Sequence, residues 1–228
     1  MSLKLDTNAR CAVIGYGSWA TAIVKILCEN EQRVGWLIGN PIVAEGVINE
    51  EHNPKYLSDA ELDTTKLAIS DDINQVVREA DIITPNFTEA SFLLDQPYRP
   101  DIGEEGLKDI LRELASMGPS AVVITSAPSE KPGHLATVAY DGRRFWKVEV
   151  PHMNAFYPGT GDAFASVLTG SLLLGDSLPV AVDRAVQFVV LGMRATYGYD
   201  IPHRDGVLLE RALPALRLPF MGGSYSEF

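Results

Sequence analysis

The sequence predicts an α/β fold: a doubly wound, mostly parallel sheet with helices on both faces, forming one three-layer α/β/α domain. Three observations carry that expectation. Short apolar runs alternate with stretches of helical periodicity at β-α-β spacing. A glycine turn follows the first apolar run directly and opens a helix. The composition, 46% hydrophobic and 21% charged over 228 residues, is that of an ordinary soluble globular chain with room for one large core or two small ones.

Taken in order, Cys11 to Ile14 (CAVI) reads as a short buried strand, and GYGSWATAIVKILCEN as a turn and helix. Val34 to Ile38 (VGWLI) is the second strand and Leu67 to Ser70 (LAIS) the third. Ile73 to Glu79 is a helix, and Ile82 to Thr84 ends a fourth strand. Gly106 to Met117 has apolar residues at helical spacing, and Ala121 to Ser126 (AVVITS) is a buried strand. His134 to Tyr140 and Arg143 to Val150 flank Asp141-Gly142, the strongest hairpin signal in the chain. From Gly161 onward the pattern is helical: DAFASVLTGSLLL, VAVDRAVQFVVLGMRATYG, and a last helix near Val207 to Leu213. One domain therefore spans 1–221, and the tail 222–228 has no periodicity; its Gly-Gly-Ser suits either an expression scar or a ragged native end.

Charge narrows the partners. The net charge is -11 and is spread out: residues 1–84 carry 7 Lys/Arg against 13 Asp/Glu, and the remainder 12 against 17. An acidic surface on both parts argues against nucleic acid, which rewards clustered Lys and Arg. No apolar run approaches the roughly 18 residues of a membrane helix, and no charged-then-apolar leader opens the chain. Cys11 and Cys28 are the only cysteines and read as buried free thiols, which suits a reducing, cytoplasmic setting. His52, His134, His152 and His203 are scattered, at neither metal nor triad spacing.

Gly15-Tyr16-Gly17-Ser18-Trp19-Ala20 fits G-x-G-x-x-G/A between a strand and a helix. Gly15 permits the tight turn, Gly17 admits a pyrophosphate to the backbone amides, and Ala20 allows close helix–strand packing. A tight turn without ligand is the plainer alternative. The acidic ribose partner is missing, because VGWLI runs into Gly39-Asn40-Pro41. Asn40 is a neutral group able to reach a hydroxyl less tightly. Residues 11 to about 82 (AVIGYGSWATAIVKIL, VGWLIGN, SDDINQVVREADI) resemble the amino-terminal part of NAD-dependent glycerol-3-phosphate dehydrogenases. The resemblance implies NAD contacts at Gly15, Gly17, Ser18 and Trp19. That family usually has a basic residue where Gly39 stands, and nothing after Thr84 looks like its helical catalytic domain.

Gly159-Thr160-Gly161-Asp162 opens a long helix. Two glycines at a helix N-terminus form a nest of amides suited to a transferring phosphoryl group. Asp162, in the first turn, is placed to accept a proton from an attacking hydroxyl. Asn86 and Glu89, in PNFTEA, offer oxygens suited to Mg²⁺ and its waters. The alternative is a helix cap and a plain turn. Residues from about 80 to 220 (ADIITPNFTEASFLL, AVVITSAP, GTGDAFASVL) resemble the carboxy-terminal part of pyridoxal and pyridoxine kinases of the ribokinase-like superfamily. That resemblance implies Asp162 as catalytic base, Gly159, Thr160 and Gly161 as anion hole, Asn86 and Glu89 as magnesium contacts, and Thr125 as an ATP phosphate contact. In those kinases the first part, replaced here, supplies most of the vitamin pocket.

The two resemblances meet within Ala80 to Thr84 and lead to the expectation of a hybrid. A dehydrogenase-like fragment, 1–82, precedes a ribokinase-like fragment, 83–221. An engineered origin is favoured, since each parent has lost what its activity requires. On that reading the chain lacks either parent's turnover, and packing is looser near Trp36, Ile38 and the helix after Pro85. Residual ATP or phosphate binding ranks above NAD binding. The alternatives are a Mg-ATP-dependent pyridoxal-type kinase acting on a small hydroxymethyl compound with Asp162 as base, and an NAD-binding protein. The state is monomer or homodimer.

Overall fold

The computed structural model describes residues 11–30, 33–155, 157–199, 206–218 and 223–228; His203 and the side chain of Cys11 lie outside them. The chain divides into two compact units. One takes the described residues up to Ile83 together with Leu114–Ser120, and the other takes Thr84–Glu113 and those from Ala121 onward.

In the first unit, β1 (Cys11–Ile14), β2 (Val34–Leu37) and β3 (Leu67–Ser70) form a parallel sheet in the order β1-β2-β3, with Cys11 opposite Val34 and Val34 opposite Leu67. Helices provide the crossovers that parallel strands require: α1 (Ser18–Glu29) and α2 (Pro41–Glu50), with α3 (Ile73–Glu79) after β3. The first core is Val24, Cys28, Val34, Trp36, Ile38, Val43, Val47 and Leu62. Trp36 and Ile38, where looser packing was expected, are 0% and 1% exposed, and the Trp36 indole N–H donates to the Gly15 carbonyl at 2.7 Å. Cys28 is a buried free thiol, pushed up in pKa first by burial and then by the Asp63 carboxylate. Helix α2 has no counterpart in the sequence reading. It exists because the Asn40 side chain caps it, accepting from the Ile42 and Val43 N–H groups, and Pro41 occupies the first turn, where its missing N–H costs nothing.

A two-residue strand, β4 (Ile82–Ile83), precedes the second unit. There α4 (Phe87–Leu93) and α5 (Glu104–Ser116) are followed by β5 (Ala121–Pro128), β6 (His134–Tyr140) and β7 (Phe145–Pro151). These strands run antiparallel, so β5, β6 and β7 form a meander, of which the β6–β7 hairpin was expected. After Pro85, where looseness was also expected, Phe87 and Ala90 of α4 are buried. The Asp-Gly hairpin is present, but its loop takes four residues. Asp141 accepts from the Arg143 and Arg144 N–H groups and from the Trp146 indole, pulling Arg143 and Arg144 out of the strand.

Three helices follow: α6 (Thr160–Leu173), α7 (Leu178–Thr196) and α8 (Leu209–Ala212), the last continued by a 3-10 turn over Leu213–Arg217. Ala163, Phe188 and Ala212 lie at the centre of their core. The closing segment is not a ragged tail. Tyr225–Glu227 forms β8, antiparallel to β7, with Trp146 opposite Glu227 and Val148 opposite Tyr225. Among the described residues no helix is long and apolar enough to cross a membrane.

Candidate active site

Helix α6 begins at Gly159, whose φ of +83° places it in the left-handed region where glycine is the natural occupant. The turn before it is tied down by the Thr160 hydroxyl, which donates to the Tyr157 carbonyl at 3.2 Å. The Ala163 N–H donates to the Gly159 carbonyl at 3.0 Å and starts the helix. The amides before Ala163 have no acceptor within the helix and face outward with its positive dipole end. A Cβ built at Gly159 or Gly161 would meet nothing within 4 Å, so the space above these amides is open. Asp162 is exposed in the same first turn, its own carbonyl accepting from the Ser166 hydroxyl at 2.7 Å. The arrangement offers an anion a ring of N–H donors with a carboxylate at its rim.

The second cluster grows from the start of α4. Asn86 caps the helix by accepting the Glu89 N–H at 2.9 Å, and the Glu89 carboxylate accepts the Asn86 N–H at 2.8 Å. This reciprocal box uses one oxygen from each side chain and leaves the second Glu89 oxygen facing solvent. Asn86 pairs with Thr125 through an isolated parallel bridge, and the Thr125 N–H donates to the Pro85 carbonyl at 3.0 Å. At that point β5 bulges, its register shifting between Ile124 and Ala127, and Ser126 adopts φ +56°. The fold thus brings Asn86, Glu89 and Thr125 together, while Gly159, Thr160, Gly161 and Asp162 share the α6 turn.

The residues fit a nucleotide phosphate and a water-bridged cation. Among the described residues no group of three or more His, Cys, Asp or Glu could cage a metal ion. A magnesium ion held by one carboxylate, waters and phosphate oxygens needs no such cage.

The Gly15–Ala20 turn lies in the other unit. Gly15 adopts φ +106°, and its N–H donates to the Leu37 carbonyl at 3.1 Å. Its first three carbonyls are used: Gly15 by Trp36, Tyr16 by the Asn53 amide at 2.9 Å, and Gly17 by the Thr21 N–H and hydroxyl at 3.0 Å. Ser18 is exposed, and Trp19 is 83% exposed. Asn40 spends its side-chain oxygen on the α2 cap, which competes with the ribose contact expected of it. Asn53 is the residue that sequence reasoning missed. It is fully buried and also donates to the Thr21 hydroxyl at 2.8 Å, but it sits in a loop with no periodic signal.

Lys147, on β7, is paired. Its ammonium donates to Glu104, which raises its pKa above the usual lysine value against the effect of burial, and Glu149 and Glu130 add to the rise.

A family model described as phosphomethylpyrimidine kinase matches residues 40–206. The hydroxymethylpyrimidine/phosphomethylpyrimidine kinase of Bacillus subtilis is 30% identical over 122 residues, 53% of this chain and 44% of that one. Pyridoxal kinase of Bos taurus is 37% identical over 117 residues, 44% of this chain and 36% of that one. The chain therefore spans less than half the length of these curated relatives. A crystal structure of a Bacteroides thetaiotaomicron protein assigned as a phosphomethylpyrimidine kinase superposes with a TM-score of 0.69 at 29% identity, covering 100% of both chains. A second crystal form of that protein contains pyridoxal.

These matches overturn the engineered chimera devoid of either parent's activity. The family model runs unbroken across Ala80–Thr84, where a joint was expected, and the Bacteroides chain corresponds to this one from end to end. The likeness to glycerol-3-phosphate dehydrogenases is weak and partial: the Parafrankia enzyme is 25% identical over 139 residues, 53% of this chain, and the Nocardia farcinica enzyme 42% over 53 residues, 23% of this chain. A β-α-β unit with a glycine turn is shared by many doubly wound folds, so a local match at that turn carries little about the whole.

Proposed function

Because the chain belongs to the phosphomethylpyrimidine kinase family, we propose that it is an ATP-dependent kinase of small hydroxymethyl-bearing nitrogen heterocycles of the pyridoxal and hydroxymethylpyrimidine class. The observation that carries this reading is the α6 turn: open amides at Gly159 and Gly161 with Asp162 exposed beside them. The acceptor hydroxyl oxygen attacks the γ-phosphorus of ATP, the bond to the β-phosphate oxygen breaks, and ADP leaves. Asp162 takes the hydroxyl proton. The amides of Gly159, Thr160 and Gly161 receive the charge on the equatorial oxygens, where preorganised donors act most strongly. Thr125 contacts the nucleotide phosphates, and Asn86 and Glu89 hold water around the cation. Magnesium, when bound, neutralises phosphate charge.

The pyridoxal found with the Bacteroides relative and the bovine pyridoxal kinase match favour a pyridine acceptor. The test is release of ADP from Mg-ATP with pyridoxal and, separately, with hydroxymethylpyrimidine. Turnover with either, reduced about 10²- to 10⁴-fold in Asp162→Asn, is expected. Full turnover in that variant removes Asp162 from the reaction, and no turnover with either acceptor overturns the reading.

A further inference from the structure

Gly206 lies far from the α6 turn in sequence but against it in space. A Cβ built at Gly206 would sit 2.8 Å from the carbonyl oxygen of Pro158, and Gly206 itself adopts φ +73°. The atom it would strike is backbone, so relief requires the Pro158 carbonyl to turn. That carbonyl and the Gly159 N–H belong to one peptide unit, planar and with a rotational barrier of about 18–20 kcal/mol. Rotating one end rotates the other. The flanking atoms are already held, with Tyr157 O bonded by Thr160 and Gly159 O by Ala163. The free variable in the turn is therefore the tilt of the Pro158–Gly159 peptide, and Gly206 bounds it from the carbonyl side.

We infer that Gly206 is a positioning residue that aims the Gly159 N–H at the transferring phosphoryl group. The inference rests on the kinase reading for its consequence, but its geometric content stands separately. Since the Gly159 amide matters most when charge develops on the phosphoryl oxygens, a mis-aimed N–H lowers kcat and leaves acceptor KM nearly unchanged.

A good control exists. Gly175 also lies in the left-handed region, at φ +95°, but a Cβ there would meet nothing within 4 Å. Gly175→Ala carries the backbone strain without the collision. Gly206→Asn complements it, because asparagine tolerates the left-handed region while its Cβ still meets Pro158. This variant keeps the question open to experiment should Gly206→Ala fail to fold.

The experiment measures kcat and KM with Mg-ATP and pyridoxal for the wild type, Gly206→Ala, Gly206→Asn and Gly175→Ala. In parallel, the Gly159 amide cross-peak is followed by ¹⁵N NMR. The expected result is a kcat loss of about tenfold to a hundredfold in both Gly206 variants, with acceptor KM held, and wild-type kcat in Gly175→Ala. The Gly159 cross-peak should move in the Gly206 variants alone. Equal kcat in Gly206→Asn and Gly175→Ala overturns the inference. So does an unmoved Gly159 cross-peak in a folded Gly206→Asn. Should the wild type itself lack turnover with pyridoxal, the proposed acceptor class is at fault, and the cross-peak alone decides the role of Gly206.

Discussion

The carboxylate of Asp183, in the second turn of α7, holds Ser224 by two bonds, accepting its main-chain N–H at 2.7 Å and its hydroxyl at 2.5 Å. Asp183 is only 1% exposed, and Gln187 completes its environment by donating to it at 3.1 Å and to the Ser224 hydroxyl at 2.8 Å. This group anchors the segment that becomes β8.

Asp183→Ala leaves the Ser224 N–H and the Gln187 amide without their acceptor in a buried setting. A loss of about 2–3 kcal/mol is expected, read as a lower urea midpoint, because bonds to a charged acceptor are the costly ones to break. A midpoint equal to the wild type would mean that water replaces the carboxylate at no cost.

Asn53 makes a similar case in the other unit. It donates to Tyr16 O and to the Thr21 hydroxyl, and its oxygen accepts from the Lys55 and Tyr56 N–H groups. Asn53→Ala should cost about 2–4 kcal/mol in unfolding free energy. Asn53→Asp, which keeps the acceptor and loses the donors, should fall below the wild type as well.

The hairpin loop makes a pH prediction. Burial works to raise the pKa of Asp141, but hydrogen bonds from the Arg144 N–H, the Trp146 indole and the Arg143 N–H, with the Arg144 charge, carry it below its ordinary 3.8. A carboxylate depressed in the folded state contributes stability that is fully present above its unfolded value and is lost as pH falls through the folded one. At about pH 5 the wild type should therefore exceed Asp141→Ala in thermal midpoint, and the gap should close as pH drops from about 4 toward 2. A gap that stays constant over that range would show that the hydrogen-bond geometry, and not the charge, stabilises the loop.

The box at the start of α4 allows its two proposed duties to be separated. Glu89→Gln keeps an oxygen for the Asn86 N–H, so helix stability should stay close to the wild type. The charge facing the cation is lost, and the Mg²⁺ concentration for half-maximal turnover should rise by about tenfold or more. Glu89→Ala should add a stability loss of about 1 kcal/mol to the same magnesium effect. An unchanged magnesium dependence in Glu89→Gln would leave Glu89 as a cap alone.

Much of this molecule was legible where cause and effect are neighbours in sequence. The strands at Cys11, Val34 and Leu67, the α6 turn at Gly159 and the Ala121 strand announce themselves by local periodicity and glycine placement. Helix α2 was legible in principle, since Asn40-Pro41 is a cap followed by a first-turn proline, but its β-branched residues and Gly46 weaken the helical pattern. Strand β8 was not legible. Three residues have no period, and what makes them a strand is the open side of β7 and the grip of Asp183. The same holds for Asn53, whose importance comes from the Tyr16 carbonyl and the Thr21 hydroxyl, more than thirty positions away. The chimera expectation failed for the converse reason: a β-α-β unit with a glycine turn reads alike in many parents.

The indole of Trp36, buried and bonded to Gly15, has an optical consequence. Its emission is set by a single backbone carbonyl in an apolar surrounding, whereas Trp19 faces solvent and Trp146 donates to the Asp141 carboxylate at 3.0 Å. The chain's three tryptophans thus stand in three unlike surroundings, one of them bonded to the glycine turn. In a Trp19→Phe background, the blue edge of the fluorescence spectrum becomes a private channel for that turn. Its opening, strain or occupation can be followed in real time without attaching a label.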